Sequence, residues 1–114
     1  MPLAATLPQA FAALGNATRF AIVDRLLKEG ELSAGELLEV GELSPPAFSR
    51  HFKVLREAGI VQQRIDRQRR LYSVRPEAVQ AIGAWSMSYR EFWEGSLDRL
   101  AIAFKQKGEA RWQS

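Results

Sequence analysis

The stretch that decides the fold is residues 44–61, which read SPPAFSRHFKVLREAGIV. Ser44 is a favoured N-cap residue, and Pro45 suits the first helical position because the amide there needs no partner. At about 100° per residue, the apolar side chains of this segment share one face and its basic side chains share the opposite one. Gly59 suits the left-handed position that ends a helix. The pattern therefore predicts a capped, amphipathic helix between Ser44 and Gly59 that is basic on its outer face.

A second basic segment follows directly and reads QQRIDRQRRLYSVR over residues 62–75. Two runs here are rich in β-branched, glutamine and aromatic residues, and they predict strands at 60–65 and 70–74. The four residues 66–69 between them have the length of a hairpin loop. We therefore predict a β-hairpin, the wing, over residues 60–74.

Upstream of the basic helix lies the pattern of another helix start. Ser33 and Glu36 have the spacing of a capping box, which predicts a short helix over about residues 34–40. A tight turn containing Gly41 separates it from the basic helix, so the two make a helix-turn-helix over residues 33–58. With the hairpin behind it, this arrangement predicts a winged helix-turn-helix.

Apolar residues at steps of three and four predict helices in three further segments, residues 3–14, 17–28 and 77–105. Asn16 is placed to cap the second of these helices. Its apolar stripe, which we expect to be buried, consists of Phe20, Val23, Leu26 and Leu27. The last helix would be roughly 40 Å long at 1.5 Å per residue. The predicted fold class is therefore mainly α with a small β-hairpin, in a single domain that spans residues 1–114.

Positive charge is concentrated in the basic helix and the wing. Residues 44–75 carry eight Lys or Arg and two acidic residues, a net charge of +6, whereas the rest of the chain has a net charge of −3. Because a basic patch that faces a polyanion is the signature of phosphate binding, we predict that this region binds double-stranded DNA. The predicted DNA-binding residues are Ser44, Ser49, Arg50, His51, Lys53, Arg56, Arg64, Arg67, Gln68, Arg69 and Arg70.

The position of each polar residue suggests its role on DNA. Ser49 and Arg50, in the N-terminal half of the basic helix, are expected to reach base edges in the major groove. Lys53 and Arg56 are expected to bind phosphate. The loop tip, residues 67–69, suits a minor groove or the adjacent backbone, where arginine gains from the negative potential.

The last predicted helix carries more large aromatic side chains than a domain of this size can cover. Exposed apolar patches of this kind mark interfaces, so we predict a homodimer that packs through this helix. The residues of this helix that are predicted at the dimer interface are Ile82, Trp85, Tyr89, Phe92 and Trp93. A small-molecule pocket on the same aromatic face is a second interpretation, and the two can coexist in one interface.

Composition argues against metal binding and against catalysis. The chain has no cysteine and a single histidine, His51, so it offers no thiolate metal site and no thiol redox chemistry. We expect no metal and no other cofactor, and we expect His51 to contact backbone or phosphate instead. Because the sequence has no second histidine and no glycine-rich phosphate loop of the right form, an enzyme is not predicted.

Hydropathy argues against a membrane protein. No apolar stretch of the sequence approaches the roughly 18 to 20 residues that span a bilayer. The N-terminus also lacks a charged region ahead of its apolar part, as a secretion signal would have. We therefore expect a soluble, cytoplasmic protein with no membrane partner.

Three consecutive segments carry a family resemblance: LGNATRFAIVDRLL at residues 14–27, ELSAGEL at residues 31–37, and the stretch at residues 44–61. Together they resemble the ArsR/SmtB family of bacterial winged-helix repressors, and the resemblance covers roughly residues 7–74. It implies a homodimer held by the first and last helices, residues 1–14 and 77–105, which adds Leu7 and Phe11 to the predicted dimer-interface residues. It also implies that each protomer places the basic helix in a major groove with its wing alongside, and represses a promoter that often includes its own gene.

Departures from the family pattern bear on what the protein senses. Thiolate metal sensors of this family carry cysteines in the motif that aligns with residues 32–37, where this chain has Ser33 and Gly35. Arsenic, cadmium, lead, sulfur and persulfide sensing are therefore not implied there. The other metal site of the family uses histidines and carboxylates on the last helix. Here the last helix has no histidine, and its carboxylates are Glu77, Glu91, Glu94 and Asp98.

The sequence therefore predicts a metal-independent homodimeric repressor that binds a pseudo-palindromic operator. An unidentified small-molecule or protein inducer, or none, would release it. Pro45 stands where many relatives have Gln, which removes one amide that could read bases, so their operator sequences do not transfer directly. The alternative is a winged-helix module that binds a protein partner through its aromatic C-terminal helix, with weak or no specific DNA binding. The salt dependence of duplex binding separates the two.

Overall fold

The computed structural model describes the backbone of residues 7–113 and the side chains of residues 7–107. The chain divides into two compact units, residues 1–82 and residues 83–114. The elements in chain order are α1 (Leu7–Leu14), α2 (Ala17–Glu29), β1 (Leu32–Ser33), α3 (Ala34–Leu38), a 3-10 helix (Val40–Glu42), α4 (Pro45–Glu57), β2 (Val61–Asp66), β3 (Arg69–Val74), α5 (Pro76–Met87) and α6 (Arg90–Gln113). The predicted fold class, mainly α with a small antiparallel sheet in a winged helix-turn-helix, is confirmed.

The second helix begins where its sequence signal predicts, and the described part of the first helix lies within its predicted range. Helix α1 is observed from Leu7, and residues 3–6 of the prediction lie outside the described residues. The Asn16 side chain caps α2 by accepting a hydrogen bond from the Arg19 amide at 3.0 Å. The predicted buried stripe of α2 is wrong in part, because Phe20 and Leu27 are each more than half exposed.

Side-chain caps mark the start of each helix in the helix-turn-helix. Ser33 and Glu36 form the predicted capping box at the start of α3. Helix α3 ends at Leu38 rather than at residue 40, because Gly41 has a φ of 69° and the chain turns there through a 3-10 segment. The Ser44 hydroxyl then accepts a hydrogen bond from the Ala47 amide at 3.3 Å, and α4 begins with proline as predicted.

Helix α4 ends in a Schellman motif that depends on Gly59. The Gly59 amide donates to the Arg56 carbonyl at 2.9 Å, and the Ile60 amide donates to the Leu55 carbonyl at 3.0 Å. Gly59 has a φ of 78°, in the left-handed region. The motif satisfies two of the last carbonyls of the helix and sends the chain directly into β2.

The sheet has three strands rather than the two that were predicted. Its order is β1-β3-β2, with both pairs antiparallel. Strand β1 pairs Leu32 with Tyr72 and Ser33 with Leu71. The sequence did not reveal β1, because two residues are too short to show the alternation that marks a strand.

The hairpin loop is shorter than predicted. Strands β2 and β3 stay paired as far as Asp66 and Arg69, so the loop has only Arg67 and Gln68. Such two-residue loops need positive φ at one or both positions. Arg67 takes this conformation, with a φ of 61°.

The core of the N-terminal unit joins α4 to the sheet. Phe52 and Tyr72 lie with ring centroids 4.4 Å apart and the rings inclined by 71°, and Phe48 and Tyr72 lie 5.4 Å apart at 78°. These edge-to-face contacts are the arrangement that aromatic rings favour. The side chains that are almost wholly buried beside them are Ile22, Leu37, Leu55, Ile60 and Val61.

The prediction of one long helix over residues 77–105 is wrong, because α5 ends at Met87 and α6 begins at Arg90. The Ser88 hydroxyl donates to the Trp85 carbonyl at 2.6 Å, and the Trp93 indole N–H donates to the Ser86 carbonyl at 3.0 Å. The same two carbonyls also accept from the amides three residues on, those of Ser88 at 3.2 Å and Tyr89 at 3.4 Å, so tighter turns interrupt the regular helical pattern here. The apolar periodicity continues across the break and conceals it.

Within the described part of the chain, none of the helices combines the length and the apolar character that crossing a bilayer requires.

Replacing Gly59 with Ala should destabilise the fold by about 1–2 kcal/mol, because only the left-handed backbone conformation penalises the added methyl group. No atom lies within 4 Å of the position that a Cβ would take at Gly59. Gly35 is the matched control, since its Cβ position is equally open and it lies in α3 without positive φ. Gly35→Ala should stabilise the fold by about 0.5–1 kcal/mol. Denaturant unfolding measures both changes, and equal effects would contradict this account of the helix end.

Candidate nucleic-acid interface

Helix α4 presents a polar, basic face opposite its buried one. Phe48, Phe52 and Leu55 point into the core. The predicted DNA-binding residues on α4 that are exposed to solvent are Ser49, Arg50, Lys53 and Arg56. Ser44 is exposed at the start of the helix, and His51 is half-buried. The helix therefore offers one continuous cationic surface, and the core contacts on its other side hold that surface in place.

A groove of about 240 Å³ lies between α4 and the hairpin. The polar residues that line it are Ser49, Lys53, Arg56, Gln63 and Arg70, and the aromatic residues are Phe48, Phe52 and Tyr72. The structure thus brings together three cations that lie up to 17 positions apart in the sequence. A channel with cationic walls of this kind suits a phosphate group.

The arginines of the hairpin lie on two opposite faces of the sheet. Side chains alternate along a strand, so residues directly opposite each other share a face. Gln63 pairs with Tyr72, and Arg70 is two residues from Tyr72, so both lie on the face that packs against α4. Arg64 pairs with Leu71, and Arg69 is two residues from Leu71, so these arginines lie on the opposite face. The sequence, in which these arginines form one cluster, does not reveal this division.

Arg64 is held by an ion pair that sequence reasoning missed. Its Nε and Nη2 atoms donate to the two carboxylate oxygens of Glu31, at 2.8 and 2.7 Å. The hydrogen bond from Arg64 lowers the pKa of the Glu31 carboxyl below its usual value. No local signal could have identified the pair, because its members are 33 residues apart.

Five predicted contact residues have no such partner. Among the side chains described, these arginines have no carboxylate oxygen within 4.0 Å: Arg50, Arg56, Arg67, Arg69 and Arg70. Lys53 is intermediate, with its ammonium 4.0 Å from Glu57. Arg67 and Gln68 occupy the exposed hairpin tip. The seven cations of this surface therefore divide into Arg64, which is paired within the protein, Lys53, which is intermediate, and five arginines that have no carboxylate oxygen within 4.0 Å.

The C-terminal unit carries an exposed aromatic surface, which we define as Trp85, Tyr89, Phe92 and Trp93. Each of these side chains is between 45% and 62% exposed, and together with Ser86 they line a cavity of about 350 Å³. The apolar exposure continues along α6 at Leu97, Leu100, Ile102 and Phe104. Of the other predicted interface residues, Leu7 and Ile82 are half-buried and Phe11 is exposed.

Potential metal ligands do not gather in the described part of the chain. No group of three or more His, Cys, Asp or Glu side chains there could hold a metal ion. The only histidine, His51, belongs to the half-buried edge of α4.

Comparison with known proteins gives several similar chains. A family model described as a helix-turn-helix domain matches residues 14–64. The HTH-type transcriptional regulator Rv2034 of Mycobacterium tuberculosis is 36% identical over 101 residues, which cover 89% of this chain and 91% of the relative. The arsenic resistance transcriptional regulator ArsR1 of Pseudomonas putida is 40% identical over 104 residues, which cover 91% and 81% of the two chains.

Solved structures agree with the sequence relatives. The crystal structure of the ArsR family transcriptional regulator RHA00566 superposes with a TM-score of 0.67 and 28% sequence identity, over 79% of this chain and 92% of that chain. The helix-turn-helix, the wing and the basic surface of the N-terminal unit are the features that such regulators need. The chain therefore belongs to the ArsR/SmtB family of winged helix-turn-helix proteins, and it is a DNA-binding transcriptional regulator.

Proposed function

We propose that this protein is a homodimeric repressor that binds a pseudo-palindromic operator in the cytoplasm and acts by binding rather than by catalysis. The observation that carries the proposal is the set of arginines without carboxylate partners on α4 and the hairpin. Like charges held close together repel one another in the free protein, and a polyanion relieves that repulsion. Duplex DNA is the polyanion that a helix-turn-helix followed by a wing fits.

In the proposed complex, α4 lies in the major groove. Ser49 and Arg50 face base edges, where an arginine can donate two hydrogen bonds to guanine. Lys53, Arg56 and Arg70 line the groove beside the hairpin and bind backbone phosphate. Backbone contacts are also proposed for Ser44, His51, Arg67, Gln68 and Arg69. Arg64 is left out of this set because Glu31 already holds its guanidinium.

The exposed aromatic surface supports the dimer. Four large aromatic side chains in one patch, extended by the apolar residues of α6, exceed what a soluble monomer usually exposes. A two-fold partner would cover the same surface on both copies at once. We propose that the two units of each chain work as one protomer, and that the paired α4 helices reach half-sites about 34 Å apart, one turn of DNA.

Release from the operator is proposed to need no metal. The described residues offer no cluster of metal ligands, and the whole chain has no cysteine. The cavity of about 350 Å³ at the exposed aromatic surface has a size that suits a small molecule. An apolar small molecule or a protein that competes for this surface is therefore the proposed class of inducer. If duplex binding proves weak, the same surface favours the protein-interaction module instead.

Selection of genomic fragments with the purified protein tests the proposal and returns the operator. Arg50→Ala should then cost about 1–3 kcal/mol on that operator and relax the choice of sequence, because a base-reading arginine loses a directed pair of hydrogen bonds. Lys53→Ala on the same face of α4 is the matched control, and it should weaken operator and random duplex alike. If Arg50→Ala lost affinity equally for operator and random duplex, Arg50 would be a phosphate contact rather than a base contact.

Operator affinity should not respond to metals. Adding zinc, cadmium or arsenite at low micromolar concentration should leave the dissociation constant unchanged, because the chain supplies no soft thiolate and only one imidazole. A chelator should have no effect either, as measured by fluorescence anisotropy. Metal that remains bound after dialysis and alters DNA affinity would contradict this prediction.

Glutamate at two positions of the exposed aromatic surface should disrupt the dimer. Tyr89→Glu with Phe92→Glu should give monomers or aggregates and reduce operator affinity by orders of magnitude, because buried charge without a partner is costly. Gln80→Glu with Gln106→Glu is the control, since it adds the same charge at exposed polar positions. Sedimentation measures the outcome, and an unmodified protein that remains a monomer of about 13 kDa at tens of micromolar would overturn the dimer.

A further inference from the structure

The ion pair between Arg64 and Glu31 crosses the sheet. Arg64 lies on β2, at one edge, and Glu31 immediately precedes β1, at the other edge. The guanidinium therefore reaches across the central strand β3 to make its two hydrogen bonds, at 2.8 and 2.7 Å. A planar guanidinium that binds both carboxylate oxygens has a fixed orientation as well as a neutralised charge.

The strand register shows which residue of β3 lies beneath the ion pair. Arg64 pairs with Leu71, and Leu71 pairs with Ser33 on the far strand. Leu71 is only 8% exposed, although it lies on the sheet face that points away from α4. The pair therefore extends along this face, parallel to the sheet, rather than outward from the hairpin.

Arg69 provides a contrast on the same face of the hairpin. It pairs with Asp66 in the ladder, two residues from Arg64 along β2. Arg69 has no carboxylate within 4.0 Å among the described side chains, and it is exposed. Two arginines of one hairpin face thus differ in how closely a carboxylate is held. Glu31 is hydrogen-bonded to the Arg64 guanidinium, whereas Glu36, whose charge interacts with Arg69, lies more than 4.0 Å from it.

Glu31 occupies the Nε and Nη2 side of the Arg64 guanidinium, and the Nη1 hydrogens take no part in the pair. A phosphate that approached the remaining donors would lie beside the Glu31 carboxylate, whose side chain is 32% exposed, and that carboxylate would repel the incoming anion. We propose that Glu31 is a positioning residue: it holds Arg64 along the sheet of the wing and keeps the Arg64 guanidinium from binding DNA. The proposal rests on the DNA binding described above, and it means that freeing Arg64 adds a phosphate contact that the native protein lacks.

Salt dependence of duplex affinity tests the proposal, because each phosphate contact changes the slope of log affinity against log salt by about 0.9. The variants are Glu31→Gln, Arg64→Gln and the two together, with Arg69→Gln for comparison. Arg64→Gln should leave the native slope unchanged. Glu31→Gln should steepen the slope by about 2 per dimer, so that its advantage over the native protein falls roughly tenfold between 50 and 200 mM salt. The double variant should return to the native slope, and Arg69→Gln should make it shallower by about 2 per dimer.

Each contrary result has a definite meaning. If Arg64→Gln makes the slope shallower, Arg64 contacts phosphate in the native protein and the proposal falls. If Glu31→Gln leaves the slope unchanged, Glu31 does not withhold Arg64; a purely structural ion pair would lower the melting temperature of both single variants without moving either slope. A native slope near zero would instead overturn the proposed DNA binding itself, and this inference with it.

Discussion

The edge-to-face contact of Phe52 with Tyr72, at 4.4 Å between ring centroids, fixes α4 against the central strand of the sheet. Because side chains alternate along β3, burying Tyr72 on that face also turns Arg70 toward the helix. The basic surface of the N-terminal unit is a consequence of this packing. Lys53 and Arg56 from α4 meet Arg70 in one groove only while the two elements stay joined. The same rings thus serve the core and set the spacing of the cations that face outward.

Charge on this surface is of two kinds. Arg64 is paired with Glu31 within the fold, and in the role proposed for Glu31 this ion pair holds the guanidinium along the sheet. The arginines that have no carboxylate oxygen within 4.0 Å are the ones proposed to bind phosphate, because an approaching polyanion relieves the repulsion among like charges. A count of basic residues in the sequence treats both kinds alike. The structure separates them by whether a carboxylate is bound to the guanidinium, and we propose different roles for the two kinds on that basis.

Local signals in the sequence predicted most of the helices and strands, but the sequence did not reveal pairings between distant residues. Ser33 with Glu36, Ser44 and Gly59 act on backbone groups a few residues away, so their positions alone define where helices begin and end. Strand β1 forms because Leu32 pairs with Tyr72, forty positions later in the chain. A pattern within two residues cannot predict such a pairing. The break between α5 and α6 is accompanied by side-chain hydrogen bonds of Ser88 and Trp93, and an apolar periodicity gives no sign of them. The family resemblance supplied the fold and the general function, but not the pairing of Arg64.

The open cations on α4 and the hairpin are proposed to bind the DNA backbone in a dimer. The most direct measurement is the affinity of the unmodified protein for duplex DNA over a range of salt concentrations. Four or five phosphate contacts in each protomer predict a slope of log affinity against log salt of roughly −7 to −9, because bound phosphates release their counterions. A slope near zero would contradict binding to the DNA backbone, and the exposed aromatic surface of the C-terminal unit would then be the remaining candidate interface.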